Sequence, residues 1–464
     1  MTSFNDSHGL TYTAAAPDSV ARFETLIHAF MGFRREMMKQ LAALLEADPE
    51  MPMANCAKGY FMKMSGASQL TPIANEQLAL VDAMAAAGRL NPREGKHHQA
   101  LGQWCAGDMD GATETWERIL LEYPLDGLAL RLAHFTHFYS GDGRKIRDSM
   151  ARALPQWPED HPCYGFLLGM YGFGLEESGD YAAAERYGRR AVEINPEDAW
   201  SVHSVAHCLE MTGRCAEGIE FSRALEPSWS KVNNFRYHLH WHRGLYHLER
   251  GEFAEVLELY DTQFGRDVDT PYYLDMVNAT SMLWRLEMFG VDVGERWQVL
   301  AEIARKRIAD DELIFVSLHY LMALVSAGGE ADIEAMMAHL EDWAARPTTQ
   351  GRITARVGLE LARGMRELRR GNHDRAVKAI YPIRYEMDPL GGSHAQRDVF
   401  WMMLSDAAAR GRDPRLAVSL FAERTALKPH SAWGWEHYAD SLGAAGQGGR
   451  AEAARQTARG LAGG

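Results

Sequence analysis

Cysteine is scarce in this chain and falls in no pattern. Cys56, Cys105, Cys163, Cys208 and Cys215 are five among 464 residues, odd in number and without a CxxC pair, so neither a disulfide framework nor a thiolate zinc site is indicated. Excess positive charge is missing too. Lys and Arg total 49 against 63 Asp and Glu, a net charge of −14, which argues against an electrostatic nucleic-acid binder. The longest apolar run, "LIFVSLHYLMALVSAG", is too short and too polar to span a bilayer. The opening "MTSFNDSHGLTYTAAAPDS" lacks the charged head and apolar middle of a secretory signal. No phosphate-binding loop, dinucleotide glycine fingerprint, serine nucleophile elbow or HExxH is present. These absences lead to the expectation of a cytoplasmic protein with no nucleic-acid or membrane partner.

What is present is helical periodicity and a repeat. "GFLLGMYGFGLEESGDYAAAERYGRRAVEINPED", Gly165 to Asp198, sets small Gly172 in a first helix and Gly179 at a turn. Ala184 and Ala191 follow in a second helix, and Pro196 closes the unit. That is the tetratricopeptide pattern, in which two antiparallel helices approach at small residues and bury their apolar faces on the next unit. The register recurs at Ala100, Gly107, Ala112, Trp116 and Pro124, and again after Asp398 at Trp401, Ala417, Phe421 and Pro429. The fold expected is an all-α tetratricopeptide-type solenoid, with residues 1–17 as an N-terminal arm and 18–464 as one continuous array. Repeat spacing degenerates over about 261–349. About 34 residues per unit makes roughly a dozen helix pairs, enough to complete more than one superhelical turn around an interior groove.

Four segments, "INPEDAWSVHSVAHCLEM", "WHRGLYHLERGEF", "SMLWRLEMFGVDVGERWQ" and "LGGSHAQRDVF", resemble the tetratricopeptide repeat protein 38 family. The likeness runs from about Gly165 to near Ser431. Its specificity lies in residues that helix packing does not demand, among them His203, His207, Trp241, His242 and Gln396. The resemblance implies a helical-repeat protein and supplies no activity.

The stretch "YHLHWHRGLYHLERG", Tyr237 to Gly251, is unusually rich in histidine. His203 and His207 are four apart and share a helix face; His238 and His242 repeat the arrangement one helix pair later. Glu210 and Glu249 extend the two stripes. First helices of successive units lie side by side, so the stripes are expected to converge on the concave side. Three readings stand for the four imidazoles: groove packing, contact with a ligand, or coordination of a divalent metal such as zinc, the set that imidazole and carboxylate usually offer. His240 and His247 project the opposite way and read as packing residues, as does Trp241, which flanks the His238 stripe and also has the shape to cap a groove. Cys163 follows His161 but needs geometry to become a nucleophile.

"LGGSHAQRDVF" supplies a second candidate. Ser393 and Gln396 have the spacing of a capping box. His394 and Arg397 then stand at a helix N-terminus, where a carboxylate can be held. The reading from these residues is a binding protein whose His-rich groove, lined by His203, His207, Glu210, His238, Trp241, His242, Glu249, His394 and Arg397, takes a peptide, a partner protein or a small acidic ligand, with no cofactor. The alternative is a metal-assisted or acid–base hydrolase with its site inside the superhelix.

Overall fold

The computed structural model describes residues 2–462, and there the chain is a run of paired antiparallel helices. The turns explain the pairing. Gly107, Gly141 and Gly179 have φ of 81°, 62° and 85°, a left-handed conformation open to glycine at little cost, and each ends a first helix. The next residue is aspartate in each case. Asp108, Asp142 and Asp180 accept the backbone N–H of Gly111, Lys145 and Ala183, capping the second helix as it starts. Gly–Asp is thus a punctuation mark that ends one helix and opens its partner.

First and second helices differ in burial. Helices Gly127–Tyr139 and Ala199–Met211 are buried almost all round, whereas Tyr181–Ile194 buries only Ala183, Ala184, Gly188 and Ala191. A helix apolar on every side belongs inside, and one with a single apolar stripe belongs on the surface. First helices therefore form an inner layer and second helices the outer one.

Between residues 261 and 349 the pairs continue as Tyr273–Met288 with Arg296–Lys306 and Ile314–Ala327 with Glu330–Ala344. The segment is bracketed by single π-helical turns, Tyr260–Phe264 and Thr354–Gly358. The first closes its helix at Gly265 and the second runs on into helix Leu359–Arg369; both add residues to a turn, so the repeat spacing is lost while the helical pattern survives. The N-terminal arm contains a β-hairpin, Thr2–Asn5 against Thr11–Ala14, built from β-branched and aromatic residues around a turn in which Asp6 accepts the N–H groups of His8 and Leu10.

The superhelix closes on itself. The helix His394–Arg410 starts beside Glu177, whose carboxylate accepts the His394 N–H at 3.1 Å, and Lys428 reaches Glu210 at 3.2 Å. Near the other end, Lys63 pairs with Glu312 at 2.5 Å and Tyr273 N–H donates to Ser65 at 3.1 Å. The interior that repeat stacking alone would leave as an open groove is filled, with Phe33, Phe173, Trp200 and Phe235 all buried in it.

Candidate functional site

The site forms where three first helices meet. Asp198 caps helix Ala199–Met211 by accepting the N–H groups of Trp200 and Ser201 at 3.0 and 3.3 Å. Helix Tyr164–Glu177 lies close against it because Gly169 has no side chain; a Cβ there would collide with Ser201. Helix Phe235–Glu249 packs on the other side. Their i, i+4 histidine pairs face each other across this contact.

His203, His207, His238 and His242 are all buried, between 0 and 2% exposed, and one nitrogen from each lies within 4.8 Å of the others. The Nε2 atom of His203 is 3.0 Å from that of His207 and 3.1 Å from that of His238. Aromatic rings wall the cluster: Phe173 and Trp200 stand 5.3 and 4.9 Å from the His203 ring, and Trp241 stacks on His238 at 5.0 Å. Burial, then the neighbouring imidazoles, holds the His203 and His238 pKa values well below the ordinary range. His242 is pushed down to about 4 by burial and then His207, against the pull of Glu210. Neutral imidazole is the metal-binding form.

Behind the rings stand acceptors. His238 Nδ1 is 2.7 Å from Asn278 Oδ1, His242 Nδ1 is 3.3 Å from Glu210 Oε2, and His207 Nδ1 is 3.4 Å from Glu176 Oε2. Glu176 also lies 2.7 Å from His394 Nε2. Burial opposes ionisation of Glu176, but His394 and His207 outweigh it and bring its pKa to about 2. The His394 pKa is lowered by burial and raised more by Glu176 and Glu177, to about 9, making it an imidazolium at neutral pH. Glu176, Glu177, His207 and His394 also lie close enough together to hold a metal ion, but His394 already pairs with both carboxylates.

Beside this centre opens a recess of about 560 Å³, with Tyr181, Tyr385, Trp401, His394, Arg397 and Lys428 among its lining. The Ser393–Gln396 capping box is formed, both bonds present, after a left-handed turn at Gly391 and Gly392. Arg397 spends its donors internally: it binds the carbonyl of Gly392 and lies 3.3 Å from Asp388 and 3.7 Å from Glu177.

Other sequence candidates lie elsewhere. Glu249 accepts from Ser431 at 3.4 Å rather than from an imidazole. His240 packs edge-on to Trp229 and His247 bonds Glu252 at 2.6 Å. Burial pushes the Cys163 thiol up to about 12, leaving no thiolate. Glu176 and Asn278 were not singled out from the sequence. A signal existed for the first, which stands one repeat length, about 34 residues, before Glu210; Asn278 sits where repeat spacing fails.

No family model matches the chain. Among solved structures, it is similar to the human IFIT1 dimer with m7Gppp-AAAA, at 13% identity over 99% of this chain and 92% of that one, TM-score 0.38. The yeast Tom70 structure matches at 11% identity over 80% and 92%, TM-score 0.25. A chain of Naa15/Naa10 bound to HypK-THB matches at 13% identity over 96% of this chain, which spans 63% of that one, TM-score 0.25. Likenesses this distant carry no argument about function. The helix pairing itself makes this an all-α, tetratricopeptide-like repeat protein, and among the described residues no helix is long and apolar enough to cross a membrane.

Proposed function

We propose that the chain is a ligand-binding member of the tetratricopeptide repeat protein 38 family, and that its ligand is a small amphiphilic acid seated in the recess beside the histidine centre. The single supporting observation is the recess: about 560 Å³ in volume, it sets aromatic walls from Tyr181, Tyr385 and Trp401 beside the cations His394, Arg384 and Lys428. That size suits a small molecule, and apolar walls with a few placed charges suit binding with orientation. Membership in the family draws on the four matching segments, because three of them carry His203, His207, His242 and His394 into one neighbourhood. The anion is met first by Arg384, whose ion pair with Glu423 is long at 3.6 Å, while His394, Lys428 and Arg397 stand behind it engaged with carboxylates of the chain itself.

The test is calorimetric titration of the intact protein with matched pairs of aromatic acids and their neutral amides. Preference for the acids, lost in Tyr385→Ser and weakened in Trp401→Ala, supports the reading. Indifference to ligand charge defeats it. A hydrolase reading draws on one further observation, the His394 imidazolium against Glu176 beside the recess. Turnover of ester or amide substrates that disappears in His394→Ala would favour it.

A further inference from the structure

We propose that His203, His207, His238 and His242 form a closed, four-coordinate site for a zinc-class divalent metal ion, which pins helix Ala199–Met211 to helix Phe235–Glu249. The argument rests on hydrogen positions that the outer contacts dictate.

Asn278 Oδ1 and Glu210 Oε2 are acceptors, so His238 and His242 face them through an N–H, while His207 Nδ1 lies 3.4 Å from Glu176 Oε2 without a hydrogen bond. In a neutral ring the proton on Nδ1 leaves Nε2 as a bare lone pair. His238 and His242 therefore turn lone pairs inward, and His207 Nε2 stands 3.0 Å from His203 Nε2 beside them. Only His203 Nε2 is shared among them, and it carries at most one proton for two close neighbours at 3.0 and 3.1 Å. His242 Nε2 and His203 Nδ1 have no hydrogen-bond partner, although both are buried. Buried acceptors in surplus with too few protons are costly to leave unmet. A cation at their centre meets one inward nitrogen from each of the four rings at once.

The geometry suits a tetrahedral ion. Zn–N bonds of 2.0–2.1 Å place ligand nitrogens about 3.3 Å apart along the tetrahedron's edges, close to the two shortest separations found. The outer contacts match as well, since metal-bound histidines ordinarily donate their other N–H to a carboxylate or carbonyl that fixes the tautomer. Four nitrogens with no exposed face leave no position for water, which marks a structural rather than a hydrolytic metal. The choice among d-block ions follows from the donors: an all-imidazole set suits zinc, copper and nickel and disfavours magnesium and calcium.

The neighbouring group of Glu176, Glu177, His207 and His394 does not carry the same inference. His394 lies 2.7 Å from Glu176 and 3.4 Å from Glu177, so its proton already supplies the positive charge that a metal would bring.

The experiment uses the full chain, purified without chelator and analysed for metals, then stripped and titrated with Zn(II) and with Co(II) alone. One metal per chain, the intense visible absorption of tetrahedral Co(II), and a rise in Tm on adding zinc are expected. His238→Ala abolishes binding. The milder Asn278→Ala, which removes only an outer contact, weakens it about 10- to 100-fold; His240→Gln, on the same helix but outside the cluster, retains one metal. Should stripping unfold the wild type, recovery of the fold by zinc supports the site equally. Failure of folded, stripped wild type to take up either metal overturns the proposal, as does binding that survives His238→Ala and Asn278→Ala or is lost only in His394→Ala.

Discussion

Two buried sites built on histidine stand in contrast, a single ring in a network of partners and a cluster of four. Near the N-terminal end, His97 has Nε2 on Asp126 at 3.0 Å and Nδ1 near the Tyr60 hydroxyl at 3.4 Å, while Arg93 pairs with the same carboxylate at 2.5 Å and Ala129 N–H donates to its other oxygen at 2.9 Å. Both ring nitrogens have partners, and one carboxylate serves a cation, a ring and a helix cap. At the centre of the molecule His238 and His242 bond Asn278 and Glu210 through their outer nitrogens, His203 Nδ1 has no partner, and the inner nitrogens of the four rings are turned on each other. The first arrangement is complete within the chain; the second is the one for which a metal ion is proposed above. Burial is the same in both, so it is the supply of hydrogen-bond partners that separates the two sites.

That contrast is open to attack. The largest effect is expected at the complete site, where Asp126→Ala strands Arg93 and His97 in the interior. Breaking such a buried pair costs about 3–5 kcal/mol, read as a lower midpoint in urea unfolding. Next comes acid. The Glu117 pKa is raised by burial but lowered further by its contacts with His137 at 2.9 Å and Arg152 at 2.6 Å, to about 2. Its contribution, on the order of 2–3 kcal/mol, is therefore present in full above about pH 4.5 and fades as pH falls toward 2. Glu117→Gln should flatten the stability profile across that window and change little at pH 7 in its slope.

A smaller effect sharpens the comparison directly. With chelator present, His203→Leu costs less than about 1.5 kcal/mol, because the lost contacts are incomplete and the apolar side chain suits walls of Phe173, Trp200 and Phe235. His97→Leu costs more under the same conditions, since it leaves Asp126 short of a partner. Equal losses in the two variants would erase the distinction. The smallest effect belongs to Tyr385→Ser, at a residue 67% exposed, where stability should change by no more than about 0.5 kcal/mol even as binding of an aromatic acid is lost.

The repeat was legible in the sequence because its signals are local. Gly179 and Asp180 act within one turn, and the 203/207 and 238/242 pairs need only helix geometry and neighbour stacking to be brought together. Glu249 lies seven residues beyond His242, about 10 Å farther along the axis, and that rise carries it past the imidazoles to Ser431. Asn278 was hidden by the π-helical turn at Tyr260–Phe264, which breaks the register one unit earlier. Lys428 and the carboxylates that His394 meets were hidden for a different reason: periodicity describes neighbours along the array and says nothing of which distant repeats meet once the superhelix closes.

Closure changes how this molecule comes apart and together. An open solenoid gains and loses end repeats nearly one at a time, its stability adding up along a line. Here the contacts His394–Glu177 and Lys428–Glu210 join residues 217 and 218 positions apart, tying late repeats to the middle of the array. Long-range contacts of this kind are formed late and slow the search for the native state. The chain should therefore exchange its central amide protons only through a concerted opening, and deleting its last helices should loosen the middle of the array as well as the end.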